Sequence, residues 1–167
     1  MPPASFLSFG SNDLTACTFG YSRDDAPKWV PALISAGVLV DDPFTTLDGD
    51  GVGELITTAI SRARTSELAT WPTSSDCNLG VPRLEIGLCG EHGGEERSVN
   101  WLVRYAAPAG LNYVSVSPFR VPVAILAAAQ AALALRCDVA AANVGARAST
   151  VVGIATSAGA LPADNTA

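Results

Sequence analysis

Three short apolar segments, each running into a glycine or a polar turn and each followed by a helix-period pattern, constrain this chain more than any other feature. Ser5 to Phe9 is apolar and aromatic and ends at Gly10, as a buried strand feeding a loop does. Leu84, Ile86 and Leu88 alternate from Arg83 to a strand end at Cys89 and Gly90, and Leu111 to Val116 supplies a third strand. Helical signals lie between them. After a long polar loop, Ser11 to Asp25, a helix begins near Ala26. Asp25 can cap it, Pro27 suits its first turn, Trp29, Val30, Leu33 and Ile34 share a face, and Gly37 ends it. A longer helix spans Gly51 to Leu68, with Asp50 as N-cap and Val52, Leu55, Ile56, Ala59, Ile60 and Ala63 along one stripe. Helices over Glu95 to Ala106 and from Pro122 to about Leu135 complete the set.

The order strand, helices, strand, helix, strand, helix is the alternation of parallel βα architecture, so the expected class is α/β. A closed (β/α)8 barrel takes about 250 residues. A three-stranded parallel sheet by itself leaves its edges unpaired and one face bare. With 167 residues, 49% of them hydrophobic, the chain can bury a core, yet three strands suggest part of a larger layer. Thr70 to Pro82 is rich in Trp, Pro, Ser, Asp and Asn and reads as an exposed excursion. Residues 137–167, rich in Ala, Gly, Thr and Val without recognisable caps or turns, read as a flexible tail.

Charge narrows the partners. A formal net charge of -6 and a pI near 4.6, with no block of Lys or Arg to offset them, disfavour nucleic acid and anionic membrane surfaces. The four cysteines, Cys17, Cys77, Cys89 and Cys137, stand singly, as in a reduced intracellular protein, and no secretory signal pattern opens the chain. The apolar run Val121 to Leu135 falls short of the roughly 20 residues that a bilayer span needs.

Candidate chemistry lies in three loops at the carboxyl ends of the strands, where barrel enzymes build their sites. The first, Gly10-Ser11-Asn12-Asp13, offers a glycine, an amide and a carboxylate able to take a hard cation. The second, Cys89-Gly90-Glu91-His92-Gly93-Gly94, puts a thiol at a strand end, and the third is Ser117-Pro118-Phe119-Arg120-Val121-Pro122. Taken alone these residues have ordinary readings: Asp13 as a turn cap, Cys89 as a small buried hydrophobe, His92 as a loop hydrogen bond and Arg120 as half of a structural ion pair. Asp48-Gly-Asp50-Gly superficially suggests calcium. However, Val52 occupies a liganding position and Ala59 stands where the bidentate Glu belongs, so the segment reads as a turn and helix cap.

Taken together and in order, SFGSNDLTACTFGYSRDD, GLCGEHGG and LNYVSVSPFRVPVAILAAAQ resemble the last three barrel loops of the pyruvate, phosphate dikinases, within the wider family of phosphoenolpyruvate-utilising enzymes. The resemblance runs from about Ser5 to Gln130. It implies the last three βα units of a (β/α)8 TIM-type barrel, incomplete on their own, with 1–136 as the partial phosphoenolpyruvate/pyruvate domain. It assigns Gly10, Ser11, Asn12 and Asp13 to the phosphoenolpyruvate/pyruvate site, Asp13 to Mg2+, and Cys89 to proton donation; Ser11 stands where the family usually has threonine. The implied reaction moves a phosphoryl group between a phosphohistidine and pyruvate, in an enzyme that also uses ATP and phosphate.

Elementary chemistry agrees with these roles. Loss of the phosphoryl group leaves an enolate, which a Lewis-acidic cation stabilises and a proton donor converts to pyruvate. Thiols titrate near about 8.5 and so keep their proton at neutral pH, fit to donate it. The resemblance also implies arginines and a second metal-binding carboxylate from earlier strands, a phosphohistidine domain and a nucleotide-binding domain. None of these precedes Ser5, so the isolated chain is expected to be inactive. A homo-oligomeric, cytoplasmic complete enzyme, or a plastid one, is the implied setting. The alternatives are a phosphoenolpyruvate synthase or phosphotransferase enzyme I relative, and a catalytically inactive binding module.

Overall fold

The computed structural model describes residue 4, residues 6–70 and residues 84–156, with the backbone alone for 67–70 and 140–156. The expected excursion after Thr70 and the end of the expected tail, 157–167, lie outside the described residues.

Strands β1 (Phe6–Gly10), β2 (Glu85–Cys89) and β3 (Tyr113–Ser115) form a parallel sheet in the order β1-β2-β3. Gly10 pairs opposite Cys89, and Cys89 opposite Ser115, so the three strands finish level. Three loops scattered through the sequence therefore start from one rim. The helices are α1 (Ser11–Phe19), α2 (Val30–Ser35), α3 (Val52–Thr70), α4 (Glu96–Trp101), α5 (Ala107–Ala109) and α6 (Val121–Thr156). One-turn 3-10 segments precede α2, α4 and α6, and a π-helical stretch, Leu102–Ala106, joins α4 to α5.

Contacts divide the chain into two units, residues 1–131 and 132–167. The first holds the sheet and its core. Val52, Ile56 and Ile60, at four-residue spacing on α3, are fully buried in one cluster with Ile86 and Leu88 of β2 and with Leu47, Leu102 and Ala106. Leu55, expected on that stripe, is 47% exposed, so the buried face is narrower than the apolar pattern. A second cluster joins Ala26, Val30 and Phe44 to Tyr21 and Trp29, whose rings meet edge-on at 4.0 Å. Of the second unit, the described part is the continuing backbone of α6.

Four boundaries differ from the sequence reading, each for a local reason. Ser11 to Asp25 is not a long loop: its first part is α1, closed by Gly20 in the left-handed region at φ 75°. Its hydroxyls disguised it. Thr15 and Thr18 donate back to the Ser11 and Leu14 carbonyls at 2.8 and 2.7 Å, so polar residues that suggest a turn are satisfied inside a helix. The α3 cap is Asp48 rather than Asp50: Asp48 Oδ2 accepts from the Gly51 and Val52 amides at 2.8 and 3.2 Å. The third strand is shorter than Leu111 to Val116. The last helix does not stop at Leu135 but runs to Thr156, so that a helical span of 22 residues, Pro118–Val139, is long and apolar enough to cross a membrane by length and composition alone. Val123, Ile125, Leu126 and Leu133 on it are exposed.

Capping geometry gives a measurable contrast. Asp48→Ala should lower unfolding free energy in urea by about 0.5–2 kcal/mol, while Asp50→Ala, whose side chain caps nothing, should stay within about 0.5 kcal/mol of the parent.

Candidate active site

The strand register brings the expected residues together. Gly10 ends β1, Ser11, Asn12 and Asp13 form the first turn of α1, and Cys89 ends β2 beside Gly10. Gly10 caps α1 without a side-chain hydrogen bond, which leaves the first amides of a nine-residue helix unclaimed by a cap. Such amides, with the positive end of the helix dipole, suit an anion.

Two glycines make this packing possible. A Cβ at Gly10 would lie 3.0 Å from Asp13 Oδ2, so a side chain there would nudge the carboxylate off the strand end. Gly90 sits at φ 123°, and a Cβ there would strike the Ser11 hydroxyl. The backbone of the Cys89 turn thus rests directly on the start of α1. Cys89 is exposed and its Sγ donates to the Phe9 carbonyl at 3.4 Å, a contact that uses the protonated thiol.

Asp13 is exposed, whereas Asn12 Oδ1 is buried with no hydrogen-bond partner. A carboxylate at an anion-seeking helix end suits a hard cation: Asp13 alone would repel an anionic ligand that the amides attract, and a cation reconciles the two. Of these rim residues Asp13 has the chemistry of a hard-cation ligand, as one member of an incomplete set. Among the described residues no group of three or more His, Cys, Asp and Glu side chains converges on one point.

His92 makes the loop hydrogen bond of its bland reading and a second bond beside it. It is fully buried, with Nδ1 2.8 Å from Ser11 Oγ and Nε2 2.8 Å from the Pro43 carbonyl. Burial holds its pKa below the ordinary 6.5, against the opposing pull of the Pro43 carbonyl and of Glu95, Glu91 and Asp42. A neutral ring brings no positive charge towards the thiol three residues away. Glu91 turns outward to Arg23 at 3.3 Å, a surface pair worth little by itself. Arg120 forms no ion pair among the described residues. It lies over Gly94, where a Cβ would come within 2.8 Å of its own Cβ. With Arg23, Asp42, Phe44, Glu91 and Glu95 it lines a cavity of about 290 Å3 whose wall includes neither Cys89 nor Gly10 to Asp13.

Comparison with known proteins settles the family. A description of the PEP-utilising enzyme, PEP-binding domain matches residues 2–133, which takes in all three loops and the whole sheet. The chain belongs to this PEP-binding domain family. Pyruvate, phosphate dikinase 2 of Oryza sativa subsp. japonica is 52% identical over 130 residues, covering 78% of this chain and 13% of that protein. The chloroplastic pyruvate, phosphate dikinase of Mesembryanthemum crystallinum is 51% identical over 127 residues, 76% of this chain and 12% of that protein. The pyruvate, phosphate dikinase of Clostridium symbiosum is 48% identical over 130 residues, again 78% and 13%. The chain spans about an eighth of the length of these relatives. In this PEP-binding domain, the sequence found the rim residues; it did not show that Ser11 is turned inward onto His92.

Burial of a neutral His92 gives stability a pH dependence of defined sign. Its folded-state pKa is depressed, so below about 6.5 the unfolded chain binds more protons than the folded one. The contribution is fully present above that value and is lost as pH falls through the window beneath it. Thermal midpoints measured between pH 7.5 and 5 should decline, and the decline should be shallower in His92→Asn, which carries no titrating ring.

Proposed function

We propose that this chain is the carboxy-terminal catalytic piece of a pyruvate, phosphate dikinase, its sheet the last three βα units of a (β/α)8 barrel. On this reading it transfers a phosphoryl group between a phosphohistidine and pyruvate, so that the complete enzyme converts ATP, pyruvate and phosphate to AMP, phosphoenolpyruvate and diphosphate. The observation that carries the reading is the juxtaposition of Gly10–Asp13 with Cys89 at the carboxyl rim of a parallel sheet, in a chain about half identical to dikinases.

In the direction of pyruvate formation, the phosphoryl group leaves the enol oxygen for a histidine nitrogen of another domain, and an enolate remains. The first amides of α1 face the anionic substrate, and Asp13 would hold Mg2+. When bound, Mg2+ supplies Lewis-acid stabilisation of developing negative charge. Cys89 gives its S–H proton to the enolate carbon, forming a C–H bond and a thiolate. For this the S–H must turn from the Phe9 carbonyl towards the substrate, a rotation about one side-chain bond at an exposed position. The nucleotide-binding and phosphohistidine steps, and the second metal-binding carboxylate, fall to other parts of the complete enzyme.

A chimera tests this directly: residues 2–133 replace the matching segment of the Clostridium symbiosum dikinase. The folded chimera should make phosphoenolpyruvate from pyruvate, ATP and phosphate, and Cys89→Ala should lower turnover by about 10²–10⁴-fold. A folded chimera that makes no phosphoenolpyruvate would reject the dikinase reading, and undiminished turnover in Cys89→Ala would reject the acid role.

A further inference from the structure

His92 is the chain's single histidine, and both of its ring nitrogens are committed. The Pro43 carbonyl can only accept, so Nε2 carries the ring hydrogen. In the neutral ring Nδ1 is then a bare acceptor, and the Ser11 hydroxyl must be its donor. The one hydrogen of Ser11 is thereby fixed. The same oxygen is the atom on which the Gly90 backbone rests, leaving no room for a Cβ.

These contacts link the start of α1, the turn that carries Cys89, and the loop before α3. They run through one imidazole with no exposed surface. We propose that His92 is a positioning residue, whose Nδ1 acceptor, acting through the Ser11 hydroxyl, sets the Gly10–Asp13 backbone against the Cys89 turn. The inference rests on the proposed function for the identity of what is positioned. A thiol must reach its carbon within a few tenths of an ångström of the productive geometry, and misplacement by about 1 Å can cost roughly 10²-fold. The competing role, a clamp that merely holds the Pro43 loop, uses the opposite ring nitrogen, and that difference makes the two separable.

Asparagine at position 92 places an amide oxygen near Nδ1, able to accept from Ser11, and loses the Pro43 contact. Glutamine reaches the place of Nε2, keeps a donor for Pro43, and loses the Ser11 acceptor. The wild-type chain should first show a bare Nδ1 and a protonated Nε2 in a long-range 15N–1H spectrum at pH 7.5, where its sole imidazole is unambiguous. The reverse tautomer would overturn the proposal. In the chimera, His92→Gln and Ser11→Ala should each lower kcat roughly tenfold with little change in KM, while His92→Asn restores most of it. In the isolated chain, the alkylation rate of Cys89 relative to Cys17 should shift several-fold in His92→Gln and Ser11→Ala and stay near the parent value in His92→Asn. Should both His92 variants misfold, Ser11→Ala decides, since it leaves the Pro43 contact intact: an unchanged alkylation ratio sinks the idea. The opposite order, with asparagine worse than glutamine, assigns His92 to the clamp alone. A wild-type chimera that folds but makes no phosphoenolpyruvate counts against the proposed function, and the alkylation order then still judges the positioning role.

Discussion

The parallel pairing of β1 with β2, with Gly10 opposite Cys89, is the constraint from which the rest of the site follows. Parallel strands send both outgoing chains from the same rim, so a loop beginning at residue 10 and a turn beginning at residue 89 become neighbours. A slip by one residue would turn Ile86 and Leu88 away from Ile56 and Ile60 and would carry the Cys89 turn off the start of α1. Core and site are therefore fixed by one register, and the buried isoleucines of α3 hold the thiol in place at a distance.

Above that register the site is built mostly by omission of atoms. Bare positions at Gly10 and Gly90 let a carboxylate fold over one strand end and let a backbone rest on a hydroxyl at the next. The buried polar groups Ser11 and His92 are tolerable because each satisfies the other, with Pro43 closing the chain of contacts. Asn12 Oδ1 is buried without a partner, in the residue before the carboxylate best suited to a cation. A fully satisfied rim would have nothing left to bind with.

Much of this was legible in the sequence because β2 and α3 obey simple periods, whereas β1, read as a buried strand, exposes Phe6 and Leu7. Alternation at Leu84, Ile86 and Leu88 and four-residue spacing at Val52, Ile56 and Ile60 report burial directly. The helix α1 was not legible, because Ser, Asn, Asp and Thr favour caps and turns as strongly as they accept a helix whose hydroxyls bond backward. Asp48 and Asp50 are equivalent as letters, and only the turn geometry picks the one whose oxygen reaches the amides. The motif residues Gly10 to Asp13 and Cys89 could be named from their pattern. The role of His92 could not, since a partner at position 11 and another at position 43 are brought to it only by the fold.

The outer edge of β1 has no neighbouring strand among the described residues, and Phe6 and Leu7 there are 62% and 44% exposed. Such an edge offers backbone donors and acceptors to any extended segment that approaches it. The thermodynamic consequence is one of mass action. A strand that docks on the native form but not on the unfolded chain raises stability by RT ln(1 + [L]/Kd), so each hundredfold excess over its dissociation constant adds about 2.7 kcal/mol. With such a strand supplied, the melting temperature of this segment would be set jointly by its own core and by that strand's concentration. When the completing strand belongs to the same polypeptide, that concentration becomes an effective one, fixed by the length of the intervening chain.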